Sequence, residues 1–210
     1  GNDCEVMGGV NPLEDHLAEI IERVSKSPKT QNIQEEIETI EKEQKEERWE
    51  SLVWARFKDA DMRDFDSTIK YKVDLLKNHG KKSVMIVGGV GTGKTHLACA
   101  IAKEFYFLGR SVHFAAVVDL LDSARPGGHP IEPTLLKTGV LLLDDLGAEK
   151  PSEWTAERLY VIANRRWLNT LPNIVTTNFT KEQLVESVGE RTISRLLHNS
   201  EVIVLGGSDR

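Results

Sequence analysis

An α/β fold, with a parallel sheet covered by helices on both faces, is predicted by three features of this 210-residue chain. From residue 83 onward short apolar runs alternate with helix-like stretches, the pattern of strand–helix–strand units. A glycine-rich loop sits where the first of these runs gives way to a helix. A later run, "GVLLLDDLG", ends in two acids, which a sheet of this kind delivers to the edge where its ligands bind.

The elements follow in order. Residues 1–11 read as a flexible lead-in, and from Pro12 a helical stripe of Leu13, Leu17, Ile20, Ile21 and Val24 appears. "SKSPKT" (25–30) breaks it, and a second stripe runs through Ile33, Ile37 and Ile40. Residues 34–50 hold eight acids against three bases. Two roles fit that stretch: a solvated helix with one apolar edge, or an amphipathic arm that docks on another protein. The apolar spacing thins after Ile40, which argues against a long coiled coil. Residues 1–50 are therefore expected to form an N-terminal helical extension, and 51–210 the main domain.

Beyond "RFKDADMRDFDS" the chain changes character. "SVMIV" (83–87) is a short strand running into the glycine loop, and 94–108 reads as a helix. "SVHFA" (111–115) is a second strand, with a helix near 117–124 and a loop, "RPGGHPIEP", over 125–133. The strand in 139–147 follows, then a helix over 152–168 with Ser152 placed to cap it. "NIVTTN" (173–178) is a strand, 180–187 and 190–197 are helices, and "EVIVL" (201–205) is the last strand.

Composition bounds the function. A hydrophobic fraction of 40% and a charged fraction of 29% suit one globular core with a smaller appendage. The net charge of −6 gives no global attraction to nucleic acid or anionic lipid, so such contacts need a local basic patch. The two cysteines, Cys4 and Cys99, form neither a metal pattern nor a disulfide framework. No apolar run approaches the length of a membrane span and the amino terminus is not signal-like, so a cytoplasmic protein without a membrane partner is expected. The abrupt ending "GGSDR" suggests that the natural chain continues.

Gly88–x–x–x–x–Gly93–Lys94–Thr95 fits the phosphate-loop pattern in its strand-to-helix setting. Across Gly88, Gly89, Val90, Gly91, Thr92 and Gly93 successive amides can turn inward as an anion nest, because glycine removes the side-chain obstruction. The helix that follows adds its positive end. Lys94 is expected to reach the outer phosphates and Thr95 to bind Mg²⁺ through its hydroxyl. His96 comes next, counted with the nucleotide-binding residues but packed on the helix instead of carrying a proton. Asp144 would hold Mg²⁺ through water and Asp145 would polarise the attacking water, the alternative being two acids that cap the next turn. The ligand is ATP or GTP.

Several machines use such a loop. A GTPase needs a guanine-reading NKxD, which is absent, and a small-molecule kinase needs a mobile lid. "TTNFT" instead places Thr177 and Asn178 where a water is oriented beside the γ-phosphate. In "GERTISRLL", Arg191 and Arg195 are four apart and share a helix face. An arginine offered to a neighbour's γ-phosphate couples hydrolysis to assembly and is worth roughly 10³–10⁵ in rate. Pairing with surface acids is the alternative.

Taken together, "ARFKDADMRDFD", "GGVGTGKTHLACAIA", "VLLLDDLGAEKPSEW", "IVTTNFT", "GERTISRLL" and "GGSDR" resemble the DnaC/DnaI/IstB family of AAA+ ATPases over roughly residues 50–210. The resemblance implies a P-loop NTPase AAA+ core with a parallel five-stranded sheet of order 5-1-4-3-2, which binds ATP or ADP with Mg²⁺. It implies homo-oligomers that form with ATP, the nucleotide lying between subunits. DnaC and DnaI help load the ring-shaped replicative helicase onto DNA, and IstB assists transposition. The implied function is ATP-dependent loading of a DnaB-type replicative helicase, with single-stranded DNA as a further partner. An IstB-like transposition helper and a nucleotide-gated adaptor with little turnover are the alternatives. By position, Asn178 resembles sensor 1, Arg195 the arginine finger, Arg191 a supporting basic residue, and Arg210 the arginine of the terminal G-x-S-x-R block. Phe57 and Phe65 lie in the segment that borders the adenine in such proteins, and core packing explains them equally well.

The chain also departs from that pattern. Asp145 stands where many AAA+ proteins have glutamate, and its shorter reach is expected to slow hydrolysis. Pro126, Gly127, Gly128 and Pro130 bend a short segment where a DNA-contacting loop would lie. Little follows the last strand, so a separate lid is not expected, and the first 50 residues have no cysteine–histidine zinc pattern. Lys81, Lys82, Arg110, Arg165 and Arg166 are candidates for gripping DNA phosphates, or ordinary solvated charges. The four tryptophans, Trp49, Trp54, Trp154 and Trp167, read as core or interface residues before base-stacking platforms.

Overall fold

The computed structural model describes residues 28–78, 83–124 and 133–206. The expected helix at 13–24, Lys81, Lys82, most of the 125–133 loop and Arg210 lie outside these residues. The chain divides into two compact units, Gly1–Arg48 and Trp49–Arg210. Helix α1 (Pro28–Leu52) begins in the first and ends in the second. Ile33, Ile37 and Ile40 are exposed along it.

The second unit is built on five parallel strands: β1 (Ser83–Gly88), β2 (Val112–Ala116), β3 (Val140–Asp144), β4 (Asn173–Thr177) and β5 (Ser200–Leu205). Their order is β2-β3-β4-β1-β5, the predicted 5-1-4-3-2 read from the other edge. Chain order and sheet order part at the centre, so the ends of β1, β3 and β4 open onto one crevice.

Alternation along each strand divides two cores. Val84, Ile86, Val140, Leu142, Ile174 and Ile203 face one layer, where helix α3 (Lys94–Phe107) buries Leu97, Ile101 and Phe105. Trp49 is fully buried there, 5.5 Å from the Tyr106 ring and 5.6 Å from that of Phe114. Met85, Leu141, Leu143 and Val175 face the other layer, made by α6 (Glu153–Leu168), α7 (Lys181–Val188) and α8 (Glu190–Leu197). α4 (Val117–Ser123) follows β2 and packs in that layer through Val117, Leu120 and Leu121.

Local signals set the helix ends. Ser152 accepts from the Thr155 N–H at the start of α6, and Thr180 and Gln183 form a reciprocal capping box on α7. Gly189 has φ +87°, which lets α7 break directly into α8. Two helices were not foreseen. One, α2 (Ser67–Asn78), is started by Asp66, whose carboxylate accepts from the N–H groups of Thr68 and Ile69. The other is the short α5 (Pro133–Lys137), at the end of what reads as loop.

Arg166 requires a correction. Read as a candidate for DNA phosphates, it is fully buried. Its guanidinium donates to Asn173 Oδ1 (2.6 Å) and to the carbonyls of Leu135 (2.8 Å), Thr138 (3.1 Å) and Pro172 (2.7 Å). It ties the end of α6 to α5 and the start of β4. Burial lowers its pKa to about 10. Arg110 and Arg165 are exposed.

Candidate nucleotide-binding site

β1 delivers the loop to the crevice. Gly91 and Gly93 have φ +74° and +86°, left-handed values that favour glycine. At Gly88 a Cβ would lie 2.6 Å from the Leu205 carbonyl oxygen, so the loop can pass the end of β5 only without a side chain. Gly89 accepts from Lys94 Nζ at 2.6 Å and from Thr92 Oγ1 at 2.9 Å. Lys94 is buried, whereas Val90 projects into solvent, 81% exposed. The lysine therefore lies back along its own loop, on the surface that a phosphate chain would occupy.

The two expected metal-holding residues meet. Thr95 Oγ1 donates to Asp144 Oδ1 at 3.0 Å. Hard oxygen donors of this kind suit Mg²⁺, which keeps several waters and takes one or two protein ligands beside phosphate oxygens. These side chains fit Mg²⁺.

Thr176 was not foreseen here. Its hydroxyl donates to Asp144 Oδ1 at 2.6 Å and accepts from the Asp145 N–H at 2.8 Å. It lies beside Asp144 because Leu143 pairs with Val175 in the sheet. Thr177, expected to orient a water, is as buried as Thr176 and bonds away from the two acids. Its hydroxyl donates to the Leu146 carbonyl at 2.6 Å and accepts from the Phe179 N–H at 3.0 Å. Strand alternation explains the exchange, because adjacent threonines face opposite sides of the sheet.

Asp145 ends the acidic pair with φ +60°. Asn178, exposed at the end of β4, donates Nδ2–H to Asp145 Oδ1 at 3.2 Å. The turn behind them is tightly fixed. Gly147 has φ +102°, and a Cβ there would lie 2.8 Å from Phe179. Its N–H donates to Glu149 Oε2 at 2.8 Å, while Glu149 Oε1 is buried with no hydrogen-bond partner among the described residues. Burial pushes the Glu149 carboxyl above its ordinary range, against the lowering effect of the backbone N–H groups it accepts from.

A cleft of about 770 Å³ beside the loop is lined by Phe57, Phe65, Asp64, Lys94, Thr95 and His96, among others. His96 Nε2–H donates to Asp64 at 2.8 Å, which holds the Asp64 carboxyl below its usual range. Its ring lies 5.6 Å from Phe65 and 6.4 Å from Phe57. Phe65 is buried and Phe57 half-buried, and both pack on the core as well as lining the cleft. Asp64 was overlooked in the sequence, where nothing local marks it as the partner of His96.

Arg195 is not brought to this cleft. It lines a separate cavity of about 330 Å³ with Ser83 and Asn173, the first residues of β1 and β4. Its Nε–H donates to Asn164 Oδ1 at 3.3 Å, and its guanidinium carbon lies 3.8 Å from the Trp167 ring centroid. β1 has six residues, so the loop at its far end is roughly 16 Å away at strand spacing. Arg191 is exposed on the same helix.

The model of the family described as IstB-like ATP binding protein matches residues 14–210. The replicative helicase loader DnaC of Escherichia coli K12 is 31% identical over 121 residues, covering 54% of this chain and 49% of that protein. A protein of insertion sequence IS5376 from Geobacillus stearothermophilus, named for ATP binding, is 31% identical over 137 residues, covering 60% of this chain and 54% of that one. The chain thus spans about half the length of these curated relatives. A crystal structure of the DnaC helicase loader aligns with a TM-score of 0.63 and 28% identity, covering 72% of this chain and 99% of that one.

Proposed function

Since the chain belongs to the family of IstB-like ATP-binding proteins, we propose that it hydrolyses ATP in assemblies of its own copies and loads a DnaB-type replicative helicase onto DNA. The observation that carries the proposal is the distance between Arg195 and the chain's own phosphate loop. The loop, Thr95, Asp144, Asp145 and Asn178 converge at one end of the sheet, while Arg195 sits among residues that open β1 and β4. A second copy can supply Arg195 to phosphates that lie away from this copy's own Arg195.

In this reading the amides of Gly89–Gly93 cradle the triphosphate and Lys94 turns from the Gly89 carbonyl to its outer oxygens. Thr95 and Asp144 would hold Mg²⁺, which would supply neutralisation of phosphate charge. Asp145 accepts a proton from the attacking water, with its carboxylate aimed by Asn178. Phe57 borders the adenine. Arg195 of one copy stabilises the developing charge on the phosphate held by the next. The N-terminal residues 1–50 meet the helicase, and single-stranded DNA is held through phosphates. Deletion of residues 1–48, which spares the buried Trp49, should therefore abolish helicase capture while leaving nucleotide binding in place.

The test is Arg195→Ala. ATP affinity should stay within about twofold while turnover falls by about 10³. Equal turnover in variant and parent rejects the trans role. A transposition helper is the second reading, favoured by the family description and the insertion-sequence relative. Capture of a purified DnaB-type hexamer in the presence of ATP and Mg²⁺ supports the loader, and capture of a transposase in its place supports the helper.

A further inference from the structure

Arg195 is held in an unusual way. Its guanidinium carbon lies 3.8 Å from the centroid of the Trp167 ring, well inside cation–π range. Its Nε–H donates to Asn164 Oδ1 at 3.3 Å. Asn164 and Trp167 are three apart on α6 and share one face. The His198 ring stands edge-on to the indole at 5.8 Å and 85°. Among the described residues no acid lines the cavity that holds Arg195, Trp167 and His198. The arginine is thus oriented by a π face and a neutral amide, with its charge left for another anion. Arginine suits that role because its rigid fork stacks on aromatic rings and binds phosphate in two places.

We propose that Trp167 is a positioning residue for Arg195. The indole face and the Asn164 amide hold the guanidinium in one orientation, ready for the triphosphate bound by a second copy of this chain. The proposal rests on the trans role of Arg195 given above. A lysine or an unstacked arginine here would carry the same charge but sample many orientations before meeting a phosphate. Trp167 is half-buried and lies at the end of the sheet away from the phosphate loop, so it acts on its neighbour's site and not on its own.

That asymmetry supplies the test. Lys94→Ala gives a protein with a failed pocket and an intact arginine. Arg195→Ala and Trp167→Ala give an intact pocket with an absent or misaimed arginine. Random equimolar mixing of the two kinds sets a competent pocket against a competent arginine at roughly a quarter of the interfaces. Trp167→Ala alone should bind a fluorescent ATP analogue like the parent and turn over ATP about tenfold more slowly. Mixing it with Lys94→Ala should raise turnover well above the sum of the two alone, and Trp167→Tyr, which keeps a π face, should recover most of the parental rate. The proposal is overturned by parental turnover in Trp167→Ala, by loss of its own ATP binding, or by its failure to be rescued when Arg195→Ala is rescued. If Lys94→Ala fails to rescue Arg195→Ala as well, the trans role itself falls and the proposal falls with it.

Discussion

Thr95 and Asp144, 49 positions apart in the chain, are joined by a hydrogen bond of 3.0 Å, and Thr176 binds the same carboxylate oxygen of Asp144 at 2.6 Å. The first turn of α3, the end of β3 and the end of β4 therefore meet at a single oxygen. Asp144 is aimed by both of its neighbours.

Thr176→Val keeps the shape of the side chain and removes both of its hydrogen bonds, to Asp144 and from the Asp145 N–H. ATP affinity in the presence of Mg²⁺ should weaken about tenfold, the usual scale for an outer partner of a metal ligand. Affinity in the presence of EDTA should change little. Titration with a fluorescent ATP analogue under both conditions measures the difference, and equal losses in both would contradict the role.

Asn178→Ala frees the Asp145 carboxylate from its 3.2 Å donor. Turnover should fall by about 10²-fold, the scale for losing one preorganised donor in an active site. The dissociation constant for ATP should stay within about twofold. A change confined to affinity would place Asn178 in binding alone.

Glu149→Gln retains an acceptor for the Gly147 N–H and removes the ionisable group. Burial raises the pKa of Glu149 in the folded protein, so its stabilising contribution is complete below the ordinary carboxylate pKa and disappears as pH rises through the raised value. The variant should melt about 2–4 °C above the parent at pH 8, and the two should converge toward pH 4. A gap that widens in acid would contradict the assignment.

Arg166→Leu leaves the carbonyls of Leu135, Thr138 and Pro172 without their donor. Unfolding free energy should fall by about 3 kcal/mol, which is roughly 6–12 °C in melting temperature for a unit of this size. Below the transition ATP affinity should match the parent, because Arg166 does not line the nucleotide cleft. A loss of affinity in the folded variant would place Arg166 in the site.

Much of the architecture was legible in the sequence. β1 and β3 stand out because four consecutive apolar residues, most of them buried, run straight into a glycine loop or an acid, and Ser152 announces α6 through its position before a helical stripe. The start of α2 was equally marked by Asp66, but the Ile69, Val73 and Leu76 stripe is diluted by lysines and by an exposed Tyr71. At the site, residues fixed by backbone path were readable: the loop, Thr95, Asp144 and Asp145. Those fixed by packing were not. Which threonine of "TTN" faces Asp144 depends on strand register, and whether Arg166 points outward or inward depends on carbonyls that belong to distant elements. The stacking of Arg195 on Trp167 depends on how α6 and α8 pack, which neither segment specifies alone.

The account stands on two molecules sharing one catalytic pocket. Steady-state ATP turnover per subunit, followed across a wide range of protein concentration at saturating ATP and Mg²⁺, tests it most directly. A rise from near zero in dilute protein to a plateau, tracking oligomer formation by light scattering, is the predicted result. Constant turnover per subunit down to concentrations where only monomer remains would contradict it.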